Sequence, residues 1–363
     1  MKLEQNLRNH LEHIVEDADV RINGNRPWDI VVHDERFYRE VMSQGSLGLG
    51  ESYMDGYWDC FDLAQLFSRL LQAHLDRTAS LTWREAVGCL KAKLTNRQKK
   101  SESARNVHHH YDVGNDLYRN MLGRWMLYSS ADWENAASLD QAGEAKLDFV
   151  CQKLNLQAGQ KVLDIGCGWG GFAKYAAERY GVKVVGITLS TEQIEVARQI
   201  CADLPVEIRY QDYRELDEKF DHVVSLGMFE HVGHKNYRQY MKIVRRCLKP
   251  HGLFFLNTIG ASESGYSLNR WTDKYIFPGA LLPAVAQIGA AIDGLFAMQE
   301  LRNWAEYYDR TLIAWFDKFN LNWCKLKKNY NQRFYRMWKY YLLSSAGAFR
   351  AEAIQDWQII LSS

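Results

Sequence analysis

KVLDIGCGWGGFAKYAAERYG, residues 161–181, runs from a short apolar strand, Val162 to Ile165, through Gly166, Gly168, Gly170 and Gly171 into a helix. Glycines are needed at such a crossing because the backbone turns tightly and lets a ligand approach closely. The helix that follows presents free N–H groups in its first turn. A dinucleotide-binding crossing would carry G-x-G-x-x-G. Here the spacing is G-x-G-x-G, introduced by Asp164. That form suits a nucleoside with an amino acid tail better than a pyrophosphate.

Outward from the crossing, short β-branched runs alternate with amphipathic segments. Strands are expected at 161–165, 183–187, 206–210, 222–226 and 253–257, with helices near 171–180, 191–202 and 236–248. The alternation marks βαβ units and a mostly parallel sheet, whose ligands bind at the carboxyl ends of the strands. Thr188 and Gln193 follow the second strand and can hydrogen-bond a ribose or an amino acid end. Gln211, Asp212 and Tyr213 follow the third, where an Asp can accept from an adenine amino group and a ring can cover it. Beyond Gly260 the chain turns aromatic and helical, most clearly over 304–318. Before the crossing we expect a helix at 4–18, short strands at 20–22 and 30–32, and a helix at 63–75. The string GSLGLGESYM (45–54) lacks the G-K-[ST] ending of a phosphate loop and reads as a loop contacting the catalytic domain or lipid.

The crossing resembles motif I of the class I methyltransferases. That implies S-adenosylmethionine held around Asp164, Gly166, Gly168 and Gly170. The strings GSLGLGESYMDGYW, HYDVGNDLY, LDIGCGWGG, GMFEHVG, KYIFPG and AGAFRA follow one another in this order. Together they resemble the cyclopropane fatty acid synthases from about residue 20 onward. The fold so implied is α/β: a seven-stranded, mostly parallel, Rossmann-like methyltransferase sheet with helical insertions after its fourth and fifth strands. A small N-terminal α+β domain (1–95), related to lipid contact or dimerisation, precedes it. The polar run at 96–106 reads as a linker, and 107–363 as the catalytic domain with an acyl-chain pocket.

The resemblance implies transfer of the sulfonium methyl to the cis double bond of an unsaturated phospholipid acyl chain. A base then removes a proton from the new methyl of the resulting carbocation, and a cyclopropane ring closes. Such a site holds alkene and methyl in line, excludes water, and turns aromatic faces to the cation. The resemblance places a bicarbonate ion beside the cation as the base. Its ligands would be Glu230 and Tyr308, with backbone contacts from Ser130 and Ile259. Tyr128 and Ser129 would contact adenosylmethionine. Three positions depart from the family. Its Y-S-C is Tyr128-Ser129-Ser130, the His of its H-T-I-G is Asn257, and its Cys near A-G-A-F-R is Ser345. An Asn amide can donate to an anion but neither carries charge nor shuttles a proton. Asn257 therefore leaves open a slower synthase, a C-methyltransferase that ends without ring closure, and a weakly active paralogue that binds adenosylmethionine or lipid.

A net charge of +1 makes no global case for nucleic acid. The seven Cys stand singly without a CxxC pair, which disfavours a zinc site and suits a reducing cytoplasm. No signal-peptide run opens the sequence, and no stretch approaches the ~20 apolar residues of a membrane span. A lipid substrate would thus be reached from the membrane's inner surface by a peripheral enzyme, expected from the resemblance to be a homodimer. Basic residues at 91–100 and 325–328 are candidates for anionic head groups. The apolar string 271–278, with 281–283, is a candidate acyl-channel lining. His108–His110 are consecutive, point in different directions, and do not read as joint metal ligands.

Overall fold

A computed structural model describes residues 2–75, 114–264 and 268–363. The linker at 96–106, the basic run at 91–100 and His108–His110 lie outside the described residues. The N-terminal elements are α1 (Lys2–Glu16), β1 (Val31–Val32), α2 (Arg36–Gln44), α3 (Ser46–Met54), β2 (Trp58–Asp59) and α4 (Leu63–Gln72). Then come α5 (Asn115–Met121), α6 (Leu139–Lys153), β3 (Lys161–Ile165), α7 (Gly171–Tyr180), β4 (Lys183–Thr188), α8 (Thr191–Ile200), β5 (Val206–Tyr210), β6 (His222–Leu226), α9 (Tyr237–Cys247) and β7 (Leu253–Gly260). The chain continues through α10 (Arg270–Tyr275), α11 (Val285–Ile292), β8 (Ala297–Asn303), α12 (Ala305–Leu321), α13 (Trp323–Leu326), α14 (Gln332–Arg350) and β9 (Gln355–Ser362).

Contacts gather the chain into two compact units. The first holds residues 1–95, 268–278 and 312–354, so it takes in segments that a linear reading leaves with the C-terminal domain. The reason is close packing. Gly347 of α14 lies so near α4 that a Cβ there would meet the Ala64 carbonyl oxygen at 2.5 Å. Trp271 of α10 covers Gly50 of α3 and donates its indole N–H to Met54 Sδ at 3.2 Å. The Trp271, Tyr340, Tyr53 and Trp58 rings then pack one on the next. The string read as a loop at 45–54 is helix α3, because its glycines let it press against α2 and α10. The strands expected at 20–22 and 30–32 shrink to an isolated Ile22–Ile30 bridge and the two-residue β1, which pairs antiparallel with β2.

The second unit holds the seven-stranded sheet, in the order β5-β4-β3-β6-β7-β9-β8. The first five strands are parallel, and β9 runs antiparallel between β7 and β8. Adjacent residues point to opposite faces. Val162, Val184, Val224 and Phe255 pack with Leu147 and Val150 of α6 and Phe172 of α7. Leu163, Val185, Val223 and Phe254 pack with Tyr240 and Val244 of α9 and Ile288 of α11. Burial on both faces explains the near-continuous apolar runs. Only a 3-10 turn and α9 separate the fourth and fifth strands of the sheet. Inserted helices follow the fifth strand (α10, α11), as expected, and the sixth (α12, α13, α14) rather than the fourth.

Candidate active site

The glycine crossing lies at the carboxyl end of β3, where strand order reverses between β4 and β6. Gly166 and Cys167 both donate N–H to the Ile187 carbonyl, at 2.9 and 3.0 Å, which ties the loop to β4. Gly168 has φ +54°, and nothing lies within 4 Å of where its Cβ would stand. Gly170, at φ +84°, caps α7. Asp164 is buried, its Oδ2 has no hydrogen-bond partner among the described residues, and burial pushes its carboxyl up to about 7. An open glycine beside an orphaned carboxylate oxygen fits a polar ligand with donor groups, as adenosylmethionine is. Thr188 Oγ1 donates to Gln193 Oε1 at 2.8 Å, so these two hold each other at the end of β4. Asp212 is buried and accepts from the Arg214 N–H at 2.9 Å, while Gln211 donates its N–H to the Thr188 carbonyl. The Tyr213 ring packs edge-on against Tyr240 in the core. Around the loop, Trp169 donates to Asn115 Oδ1 at 2.7 Å, and Tyr118 packs against both Trp169 and Tyr128.

The turn that carries Glu230 follows β6 and touches the crossing. A Cβ on Gly166 would meet Met228 Cβ at 2.7 Å. Glu230 is buried. Its Oε1 accepts the Ile259 N–H at 2.7 Å, and its Oε2 has no hydrogen-bond partner among the described residues. Burial raises its carboxyl to about 7, against the opposing pull of the Ile259 amide. The Ile259 amide expected to face an anion is therefore engaged by Glu230 itself. The remaining Glu230 oxygen suits a ligand that offers an O–H, as bicarbonate does.

Asn257 lies on β7 opposite Gln358 of β9, and Ile259 lies opposite Asp356. This register assembles a buried network. Ser129 Oγ donates to Asn257 Oδ1 at 2.5 Å, and Asn257 Nδ2 donates to Asp356 Oδ1 at 2.7 Å. Ser130 Oγ donates to Asp356 Oδ2 at 2.6 Å, so its side chain joins the network. Lys146 of α6 donates to Gln358 Oε1 at 2.7 Å and sits 4.6 Å from the Trp304 ring centroid. Burial lowers Lys146 to about 8, with Asp356 and Asp132 opposing. The Trp304 N–H donates to the Asp356 carbonyl at 2.7 Å and anchors the start of α12. Tyr308 follows one turn later and is buried, whereas its neighbour Tyr307 is half-buried, which separates two tyrosines that sequence alone left adjacent.

The structure thus brings Glu230, Asn257, Ile259, Ser129 and Ser130 together on the sheet's carboxyl side. Ser345 is on α14 and belongs to the first unit. Sequence reasoning missed Lys146, Asp356 and Gln358. The one sequence signal was the charge of Asp356 at the start of the apolar strand QDWQIIL, whereas the burial of Lys146 on α6 shows only in the structure. Among the described residues, no helix is long and apolar enough to cross a membrane.

Comparison with known proteins gives a consistent picture. The family described as mycolic acid cyclopropane synthetase matches residues 98–359. The cyclopropane-fatty-acyl-phospholipid synthase of Escherichia coli (strain K12) is 46% identical over 95% of this chain and 90% of its own length. The tuberculostearic acid methyltransferase UfaA1 of Mycobacterium tuberculosis is 31% identical over 88% of this chain and 79% of its own. Among solved structures, the cyclopropane synthase MmaA2 from Mycobacterium tuberculosis superposes with a TM-score of 0.68 at 28% identity, covering 72% of this chain and 98% of that one. The mycolic acid cyclopropane synthase CmaA1, in complex with SAH and CTAB, gives a TM-score of 0.68 at 29% identity, with the same coverage.

Proposed function

Because the chain belongs to the mycolic acid cyclopropane synthetase family, we propose that this S-adenosylmethionine-dependent methyltransferase adds a methylene group across the cis double bond of unsaturated phospholipid acyl chains. The observation that carries the reading is Glu230. It is a buried carboxylate with one oxygen unpaired among the described residues, in a turn that meets the glycine crossing. Adenosylmethionine, when bound, supplies an electrophilic methyl on a sulfonium. Gly166, Gly168 and Gly170, with Asp164, Tyr128, Ser129, Thr188, Gln193, Gln211 and Asp212, are the residues we assign to hold it. Tyr213 adds packing beneath that site rather than an open ring face. Bicarbonate, which we assign to the Glu230 and Tyr308 side of the site, supplies a base for the proton that ring closure releases.

The chain's own groups orient and exclude. Burial around Glu230 and the aromatic rings keeps water away from a cationic acyl chain. Asn257 stands where the family carries a His, and the resemblance to UfaA1 supports methyl addition without ring closure as a second reading. We further assign residues 1–95 to lipid contact or self-association, a homodimer as the working form, and the cytoplasmic face of the membrane as the place of action. Sedimentation equilibrium and vesicle co-pelleting check these assignments.

The test mixes full-length protein with vesicles of cis-unsaturated phospholipid and adenosylmethionine, with and without bicarbonate. Mass spectrometry and proton NMR read the fatty acids. High-field ring protons, with faster turnover in bicarbonate, are expected. A one-carbon gain without ring protons selects the second reading. Adenosylmethionine binding without any lipid product overturns both.

A further inference from the structure

Asp356 is a fully buried carboxylate that no sequence motif singles out, and the transfer chemistry gives it no direct role. Its acceptor bonds come from Asn257 Nδ2 at 2.7 Å, Ser130 Oγ at 2.6 Å and Gln358 Nε2 at 2.7 Å. Burial raises the Asp356 carboxyl, while Lys146 and the bonds from Ser130, Asn257 and Gln358 oppose that shift and favour the charged form. In that form a carboxylate only accepts, so it dictates the sense of every bond that reaches it. Asn257 must turn its NH2 toward Asp356, and the Trp357 carbonyl, which accepts from the same Nδ2 at a longer 3.3 Å, adds to that direction. Its Oδ1 then faces Ser129 and takes that hydroxyl proton at 2.5 Å. Gln358 must turn the same way, which leaves its Oε1 for Lys146 Nζ at 2.7 Å. Ser130 commits its proton to Asp356 and keeps its lone pairs for Lys146 at 3.4 Å. Two amides and two hydroxyls therefore share one orientation, set by one carboxylate, and Lys146 supplies the balancing charge.

We propose that Asp356, balanced by Lys146, is a positioning residue for the transfer reaction: it locks the direction of the Asn257 amide and of the Ser129 and Ser130 hydroxyls. An amide alone can present either end, because its two faces differ only in which atom donates. Beside Asp356 it has a single direction, so an Asn at position 257 serves where a bare Asn would not. The inference rests on the proposed methylene transfer. Asp356 also lies across the strand pair from Ile259, whose N–H holds Glu230, so the same two strands carry both halves of the arrangement.

The experiment uses the full chain, vesicles of cis-unsaturated phospholipid and adenosylmethionine. Asp356→Asn is expected to lower kcat by about 100-fold, the scale of a misoriented site, with a smaller rise in KM for adenosylmethionine through the Ser129 hydroxyl. The double variant Asp356→Asn/Lys146→Met removes both buried charges and separates orientation from folding. Its Tm should rise above that of the single variant while turnover stays low, whereas turnover that returns together with Tm overturns the proposal. The Asn257 side-chain NH2 resonances, assigned by their loss in Asn257→Asp, report its direction without any turnover. They should shift in both the single and the double variant, and unmoved resonances in whichever variant folds overturn the proposal. A wild type that makes no lipid product while those resonances shift sinks the transfer reading and leaves the positioning role standing.

Discussion

GSLGLG at residues 45–50 and GCGWGG at 166–171 are both rich in glycine, yet one is a helix and the other a loop. Gly48 and Gly50 are glycine because neighbours occupy the space of a side chain. A Cβ would stand 2.0 Å from the Glu40 carbonyl oxygen at the first and 2.2 Å from the Trp271 ring at the second. Gly168 is glycine because its φ is +54°, and the space in front of it is open. A glycine required by crowding marks an interior. A glycine required by conformation, with open space before it, leaves room for a ligand when it stands at the carboxyl end of a sheet strand, as Gly168 does. The neighbouring acids differ in the same way. Glu51 is raised by burial but brought below its ordinary value by the Lys274 and Tyr275 bonds, whereas Asp164, with one oxygen unpaired, is pushed up by burial.

Substitution tests the comparison most severely in the first string. Gly48→Ala or Gly50→Ala overpacks the first unit and should cost about 3 kcal/mol or more, read as a lower urea midpoint. Gly168→Ala has room for its methyl and should cost only about 1 kcal/mol for the left-handed backbone. It should weaken adenosylmethionine binding about tenfold, since the methyl projects into the space the ligand needs. Unchanged affinity by calorimetry would break the comparison.

The acids give a pH signature of opposite sign. Asp164 keeps a proton in the folded chain between its ordinary 3.8 and about 7, so its effect lowers stability as pH rises through that window. Asp164→Asn should flatten that part of the Tm–pH curve. Glu51 contributes stability that is present above its unfolded pKa and is lost as pH falls through its depressed folded value. Glu51→Gln should remove that contribution, which lowers the whole curve between pH 5 and 7 without changing its slope there. The smallest effect belongs to Gly56, with φ +79° and no neighbour within 4 Å of a Cβ. Gly56→Ala should cost about 1 kcal/mol of backbone strain without touching cofactor affinity, a control for strain alone.

The comparison also explains what was legible beforehand. The five parallel strands stood out because burial on both faces forces continuous apolar runs. The pair β8 and β9 did not. Strand β8, AMQELRN, is an almost wholly exposed edge with no apolar pattern, and β9 begins with polar Gln355 and Asp356. Residues carried by strings, such as Glu230 and Asn257, could be named from sequence. Asp356, Gln358 and Lys146 could not, because the register between β7 and β9 brings the first two to Asn257 and the packing of α6 brings Lys146 to Gln358. The helix at 45–54 was hidden for a related reason: its glycines answer to Glu40 and Trp271, and the second of these is remote in sequence.

The position of β9 has a consequence for how the protein is made. Asn257 and Asp356 are 99 residues apart, and the strand that closes the gap between β7 and β8 leaves the ribosome last of the seven. At a translation rate of about 5–20 residues per second, β7 waits roughly 5–20 s for its antiparallel partner. Through that interval its outer edge offers unpaired N–H and C=O groups to any other strand nearby. A ribosome that stalls between the two strands would therefore release a chain able to bind adenosylmethionine at β3 and β4, yet sticky along β7, and such fragments are natural clients for a chaperone that shields strand edges.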